Sequence, residues 1–481
     1  MSIFFKGLSS INGPLVAIEG VQNASFDELV ELVDDENHTR LGRIIELQGD
    51  RALIQVFENT EGMSKKNMLT KLSGRPIEIG LSEEILGRSF NGSGKPIDGL
   101  GPVFTEKFSD INGRVINPVS RIYPRDFINT GVSAIDGLNT LIRGQKLPIF
   151  SGSGLSHNEL AAQIVRQAKL HGDNDEDFAI VFAAMGVKHD VAAFFKQTFM
   201  EHGVMDHVTM FLNLANDPII ERILTPRFAL TAAEYLAFEK NMHILVVMTD
   251  ITSYCEALRE YSSSKEEVPG RKGYPGYLYS DLASMYERAG CIEGSTGSLT
   301  QIPILTMPND DISHPIADCT GYITEGQIVL DRGMTQKGIY PPINVLPSLS
   351  RLMKDGIGEG LTRGDHSSVS SQLFAAYARV IDVRNLASVI GLDELSKADQ
   401  KYLSFGKIFE NFFVGQGDGT NRSIADTLDI GWHLLSLLPI HDLDRLDSKL
   451  LEQYYDNHAA VVYFKENSPE LVDSILLESL S

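Results

Sequence analysis

Between Phe127 and Asp331 the sequence alternates short apolar runs with amphipathic segments, and that alternation restricts the fold more than any other feature. The runs KLPIF, DFAIVFAAMG, VTMFLNLA, HILVVMTD and IPILTMP have the length of strands buried on both faces. Between them, NELAAQIVRQAKL and RFALTAAEYLAFEK repeat apolar residues at helical spacing. Strand and helix in turn predict an α/β domain with a mainly parallel sheet.

The flanks have a different character. In RIIELQGDRALIQVF two β-rich runs meet at Gly49-Asp50, a two-residue hairpin signal. With GPLVAIEGV ahead of it, this predicts a small N-terminal β-barrel. The stretch GRSFNGSGKPIDGLGP, Gly87–Pro102, carries Gly and Pro at a density that predicts no regular structure. Beyond about Leu361, SSQLFAAYARVIDVRNLASVI and IADTLDIGWHLLSLL predict helices with little strand signal. The expected organisation is a barrel over 1–75, a central α/β, P-loop (RecA-like) nucleotide-binding-like domain over 76–360, and a helical domain over 361–481.

Charge narrows the function. The 481 residues hold 64 Asp+Glu against 42 Lys+Arg, a net charge of −22. Nonspecific nucleic-acid binding needs basic surface to neutralise phosphates, so no nucleic-acid partner is expected. Unaided binding to anionic membranes is disfavoured on the same ground. No run approaches the roughly 20 apolar residues of a membrane-spanning helix, and MSIFFKGLSSINGP lacks the pattern of a signal peptide. Cys255, Cys291 and Cys319 have no CxxC spacing and are expected to be small core residues. No metal site is expected, and the compartment implied is the cytoplasm.

The segment KLPIFSGSGLSHNELAAQIVRQ, Lys146–Gln167, has the outline of a phosphate-binding loop: strand, Gly/Ser-rich turn, helix. A working loop reads G-x-x-x-x-G-K-[ST], its lysine on the β/γ-phosphates and its hydroxyl on magnesium. Here the same frame is Ser151-x-x-x-x-Ser156-His157-Asn158. The lysine, the magnesium-binding hydroxyl and both signature glycines are gone. Backbone N–H groups over Ser151, Gly152, Ser153, Gly154, Ser156, His157 and Asn158 still offer an anion cradle at a helix N-terminus. Against this, Ser156-x-x-Glu159 matches a capping box, which would place a carboxylate near the phosphate position. His157 is shorter than lysine and mostly neutral at pH 7. Weak or absent nucleotide binding is therefore one outcome, and real but noncatalytic binding the other. In NMHILVVMTDITSY the apolar run ends in Asp250, the place from which P-loop proteins present an aspartate to magnesium. Many buried strands end this way.

Three segments, TGVSAIDGLNTLIRGQKLPIFSGSGLSHNELA, VPGRKGYPGYLYSDLASMYERAG and PPINVLPSLSRL, resemble the rotary ATPases. The likeness is greatest to the noncatalytic B (beta) subunits of the V-type and archaeal-type enzymes, and it extends over essentially the whole chain. The run Pro341–Ser350 is similar to the signature shared by the alternating subunits of these rings. Catalytic subunits carry a G-E-R stretch whose glutamate polarises the attacking water; the corresponding stretch here is Gly186-Val187-Lys188. Lysine, hydroxyl and glutamate are all absent, so the resemblance implies a chain that does not hydrolyse ATP alone.

The resemblance further implies a regulatory subunit in a three-plus-three ring with a catalytic A subunit, around a central stalk and braced by peripheral stalks. The chain would hold no cofactor of its own, Mg-ATP or ADP lying at the interface with the A subunit, and would meet the membrane only through the complex. Such machines couple ATP hydrolysis or synthesis to H+ or Na+ transport. Arg351, directly after the signature, stands at the arginine-finger position, acting in trans. The segment Gly391–Leu403 looks like the acidic helix-turn-helix that faces the stalk. An independent hexameric ATPase of secretion or helicase type would need the loop lysine and usually a basic surface. A ring scaffold without a catalytic part is a third, plainer possibility.

Overall fold

The computed structural model of the chain describes residues 4–113, 116–123, 125–170 and 178–472. They form two compact units, one of Met1–Ile122, Asp177–Thr306 and Ser313–Ile323, the other of Tyr123–Glu176, Met307–Ile312 and Thr324–Ser481.

The first unit opens with seven antiparallel strands: β1 (Phe4–Lys6), β2 (Ser10–Asn12), β3 (Leu15–Ile18), β4 (Glu28–Val33), β5 (Thr39–Gln48), β6 (Arg51–Val56) and β7 (Leu69–Pro76). Their order in the sheet is β1-β7-β4-β5-β6-β3-β2. Alternation sets the faces. In β4, Val30 and Leu32 are buried while Glu31 and Val33 stay partly exposed. The buried set, including Val16, Ile18, Val30, Ile44, Ile54 and Val56, forms one core. The predicted hairpin is present: Gln48 pairs with Arg51, and Gly49 takes φ +62°, as the first central glycine of a type II′ turn does.

The same unit carries a parallel sheet of Ser298–Met307, His243–Thr249, Phe178–Val187 and Val208–Leu214, in that order. Every residue of His243–Thr249 is buried, as expected of a central parallel strand covered on both faces. One expectation fails. Within the Gly/Pro-rich stretch, Ser89–Asn91 forms a short strand, parallel to Met210–Leu212 at the sheet edge. Phe90 stacks on Phe211 with ring centroids 5.0 Å apart, and this tertiary contact outweighs the local turn preference.

In the second unit, Ile149–Gly152 runs parallel to Gly326–Leu330, which pairs antiparallel with Ile343–Ser350. Helix His157–Gln167 follows the first of these strands directly. The C-terminal residues are helical as predicted, with long helices at His366–Ile390, Lys397–Ile408 and Ile424–Leu435. The first ends at Gly391, φ +93°, and Ser396 starts the next by accepting from Asp399 N–H. Ser423 and Asp426 form a complete capping box on the third. A ladder of Tyr377, Phe405, Phe409 and Phe413 fills their core. Buried Glu410 accepts from Tyr377 at 2.7 Å and pairs with Arg384 and Lys337.

Candidate functional site

The loop after strand Ile149–Gly152 starts helix His157–Gln167, whose predicted face of Leu160, Ala161, Ile164, Val165 and Ala168 is buried. The far side is moored as well. Gln163 and Gln167 donate to the Thr420 carbonyl at 3.2 and 3.1 Å, and Arg166 donates to the carbonyl of Asp418. The helix that follows the loop is thus anchored along its second half.

Inside the loop the expected capping box does not form. Ser156 has φ −77° and ψ 44°, away from the extended backbone that aims an N-cap hydroxyl at the N3 amide, and its side chain makes no cap bond. Glu159 is exposed. His157 turns back toward the strand, its Nδ1 3.0 Å from Ser151 Oγ. The residue in the lysine's place is therefore committed to the loop itself.

Two residues that sequence reasoning missed complete this surface. Arg332 grips Asp310 with both arms, Nε to Oδ2 at 2.8 Å and Nη2 to Oδ1 at 3.0 Å, and Nη2 also donates to the Ser153 carbonyl at 2.9 Å. Asp310 packs on the end of the strand so closely that a Cβ at Gly152 would lie 2.0 Å from its Oδ1. Asn309 and Asp310 both adopt left-handed backbone, φ +57° and +56°, to bring the carboxylate there. The Arg332 hydrogen bond holds Asp310 below the usual carboxylate range. A cation does border the loop, then, but its charge is already neutralised and does not replace the missing lysine.

Arg351 follows strand Ile343–Ser350 and is exposed. Its main-chain N–H donates to the Glu325 carbonyl at 2.8 Å, and its Nη1 donates to the Thr324 carbonyl at 2.9 Å. Among the described residues no carboxylate pairs with it. Glu325 in turn meets Lys146, Nζ to Oε1, at 2.7 Å.

Asp250 and the Gly186–Lys188 stretch belong to the first unit. Asp250 caps helix Ile251–Ser264 through Thr252 N–H at 2.8 Å, and its other oxygen accepts from Thr306 Oγ1 at 2.7 Å. Val187 ends strand Phe178–Val187 and is buried, and Lys188 starts the next helix. An aliphatic side chain cannot polarise water. Among the described residues there is no group of three or more His, Cys, Asp or Glu side chains placed to hold a metal, and no helix is long and apolar enough to cross a membrane.

Comparisons with known proteins agree with this architecture. Residues 8–70 match the β-barrel domain of the ATP synthase alpha/beta family, and residues 131–350 match its nucleotide-binding domain. Residues 355–455 match the C-terminal domain of V and A type ATP synthase. The chain is 64% identical over 451 residues to the V-type ATP synthase beta chain of Halothermothrix orenii, covering 94% of this chain and 97% of that protein. It is 55% identical over 456 residues to the B subunit of the A-type ATP synthase of Aeropyrum pernix, covering 95% and 98%. Among solved structures, an ATP synthase subunit described as unique, NeqB from Nanoarcheaum equitans, superposes with a TM-score of 0.70 at 40% identity, covering 89% of this chain and all of that one.

Proposed function

The chain belongs to the ATP synthase alpha/beta family, and from that premise we propose that it is the noncatalytic B subunit of a V-type or A-type rotary ATPase. It alternates three-plus-three with a catalytic A subunit and completes that subunit's nucleotide site with Arg351. The ring turns around a central stalk, is held by peripheral stalks, and couples ATP hydrolysis or synthesis to H+ or Na+ movement. The chain lies on the cytoplasmic side and meets the membrane only through the complex. Mg-ATP or ADP reacts at the interface, not in the loop of this chain. An independent ATPase of secretion or helicase type is disfavoured by the missing loop lysine and by the relatives' identity.

One observation carries this reading: an exposed arginine, tethered to the Thr324 carbonyl of its own chain, in a chain whose phosphate loop has lost its lysine. An arginine that needs no deprotonation and binds anions with a planar fork is suited to a developing γ-phosphate charge. The test is to purify the chain and mix it with its catalytic partner. Hydrolysis should require the mixture, and steady turnover by this chain alone would refute the assignment.

A further inference from the structure

Lys146 and Glu325 are joined at three points. Glu325 N–H donates to the Lys146 carbonyl at 3.1 Å, Lys146 N–H donates to Glu325 Oε2 at 2.8 Å, and the Lys146 ammonium lies 2.7 Å from Oε1. The lysine side chain is only 3% exposed, and the carboxylate beside it is the partner that a buried ammonium needs. Next to this pair, Gln145 Nε2 donates to the Glu325 carbonyl at 3.2 Å and to Ser350 Oγ at 3.0 Å. Ser350 Oγ donates onward to the Thr140 carbonyl at 2.9 Å. The segment 140–146, which includes the short strand Leu141–Ile142, thus clamps both the start of strand Gly326–Leu330 and the end of strand Ile343–Ser350.

The clamp ends on Arg351. The carbonyl of Glu325 fixes its main chain, and the carbonyl of Thr324 fixes one arm of its guanidinium. Because a peptide is planar, anchoring the Glu325 N–H limits how far the Thr324 carbonyl can turn, while Gln145 Nε2 holds the Glu325 carbonyl. The other guanidinium N–H groups have no partner among the described residues and stay available to an anion.

We propose that Lys146 and Glu325 are positioning residues for the arginine finger. The ion pair, its ammonium buried and its carboxylate partly exposed, holds Glu325 in place, and the carbonyls of Thr324 and Glu325 aim Arg351 at the partner subunit's nucleotide. This rests on the finger role proposed above. Without the pair the guanidinium is still present but no longer preorganised, and a misplacement of about 1 Å at a reacting centre costs about 10²-fold in rate.

The test uses reconstituted rings. Glu325→Gln keeps the shape of the side chain and removes its charge. It should lower kcat by about tenfold or more while KM for Mg-ATP changes by less than about twofold, a split that a merely structural lesion would not produce. Lys146→Arg, which keeps the cation, should retain most of the rate. Placed in Arg351→Ala rings, Glu325→Gln should cause no further loss, because it acts through the arginine. If Glu325→Gln alone does not assemble, Lys146→Met/Glu325→Gln leaves no unpaired buried charge and carries the same comparison. Assembled rings turning over within about twofold of the parent, or an equal loss in the Arg351→Ala background, would overturn the proposal. Should Arg351→Ala itself leave turnover intact, the finger role fails first, and the same series reveals it.

Discussion

Arg351 Nη1 donates to the carbonyl of Thr324 at 2.9 Å, a contact within its own chain that orients an exposed guanidinium before any nucleotide arrives. Ordering a long side chain in advance reduces the entropy lost when it engages a transition state. Fingers supplied in trans are worth roughly 10³–10⁵ in turnover, about 4–7 kcal/mol of barrier. Arg351→Ala rings should therefore assemble, keep nucleotide in the partner's site and nearly cease to hydrolyse it. Arg351→Lys should recover little, since an ammonium cannot reproduce the fork. Gel filtration checks assembly and a coupled ATPase assay checks rate. Turnover within about threefold of the parent, under about 1 kcal/mol, would remove Arg351 from the mechanism.

The isolated chain should bind Mg-ATP poorly and turn none over. His157 is turned toward Ser151, and the Arg332 charge beside the loop is matched by Asp310. Titration calorimetry on the purified chain is the direct check. A low-micromolar dissociation constant would contradict the weak-site expectation, leaving the finger untouched.

Legibility in the sequence followed how local each cause was. The five buried strands were visible because parallel strands covered on both faces carry continuous apolar runs, as Ile244–Met248 does. Ser89–Asn91 was hidden because two of its three residues are polar and its cause, the stack on Phe211, comes from far along the chain. The loop was legible from its spacing. Ser156 and Glu159 had the right letters for a capping box, but letters do not fix ψ, and the box did not form. Arg332 and Asp310 stand 22 residues apart in two separate short helices, so only tertiary folding joins them to Ser153. A faint signal existed in Asn309-Asp310-Asp311, residues that tolerate left-handed backbone.

His366 should make the chain acid-sensitive well above the carboxylate range. It begins helix His366–Ile390, with Nε2 3.1 Å from the Gly137 carbonyl and Nδ1 3.1 Å from Thr362 Oγ1. Burial pushes its imidazole down from 6.5 to about 4, Arg363 adding to this while the Gly137 bond and Asp365 oppose it. Between those two values the unfolded chain binds a proton that the native chain refuses. Stability is therefore greatest above pH 6.5 and falls as the pH drops toward 4, by about 3 kcal/mol when complete. In urea unfolding at several pH values, His366→Gln should lose that step. An unchanged slope between pH 6.5 and 4 would count against it.

The turn at Gly391–Ser396 should lie against the central stalk. Asp393 and Glu394 are exposed there, beside the outward apolar side chains of Val389, 82% exposed, and Leu392, 64% exposed. Apolar surface flanked by acids suits a partner that offers both apolar and basic groups. Cysteines placed at Asp393 or Glu394 should cross-link to the stalk subunit in assembled complexes. Cross-links only to subunits on the outer rim would contradict the placement.

Gly326 should prove indispensable for a reason separate from its chemistry. It begins the strand that pairs with Ile343–Ser350, and a Cβ there would lie 2.0 Å from the Leu349 carbonyl oxygen. Its φ of +152° is one that other residues rarely adopt. Gly338 is the natural control, because it has φ +74° but nothing within 4 Å of the same position. Gly338→Ala should cost only the backbone penalty, about 1–2 kcal/mol. Gly326→Ala adds a clash with backbone that cannot swing aside, so its cost should exceed the control by at least about 1–3 kcal/mol. Gly326 pairs with Ser350, the residue before Arg351, so rings that still assemble should also be slower. Urea midpoints of the two variants decide the matter: equal losses would mean that the strands open freely and do not hold the arginine in place.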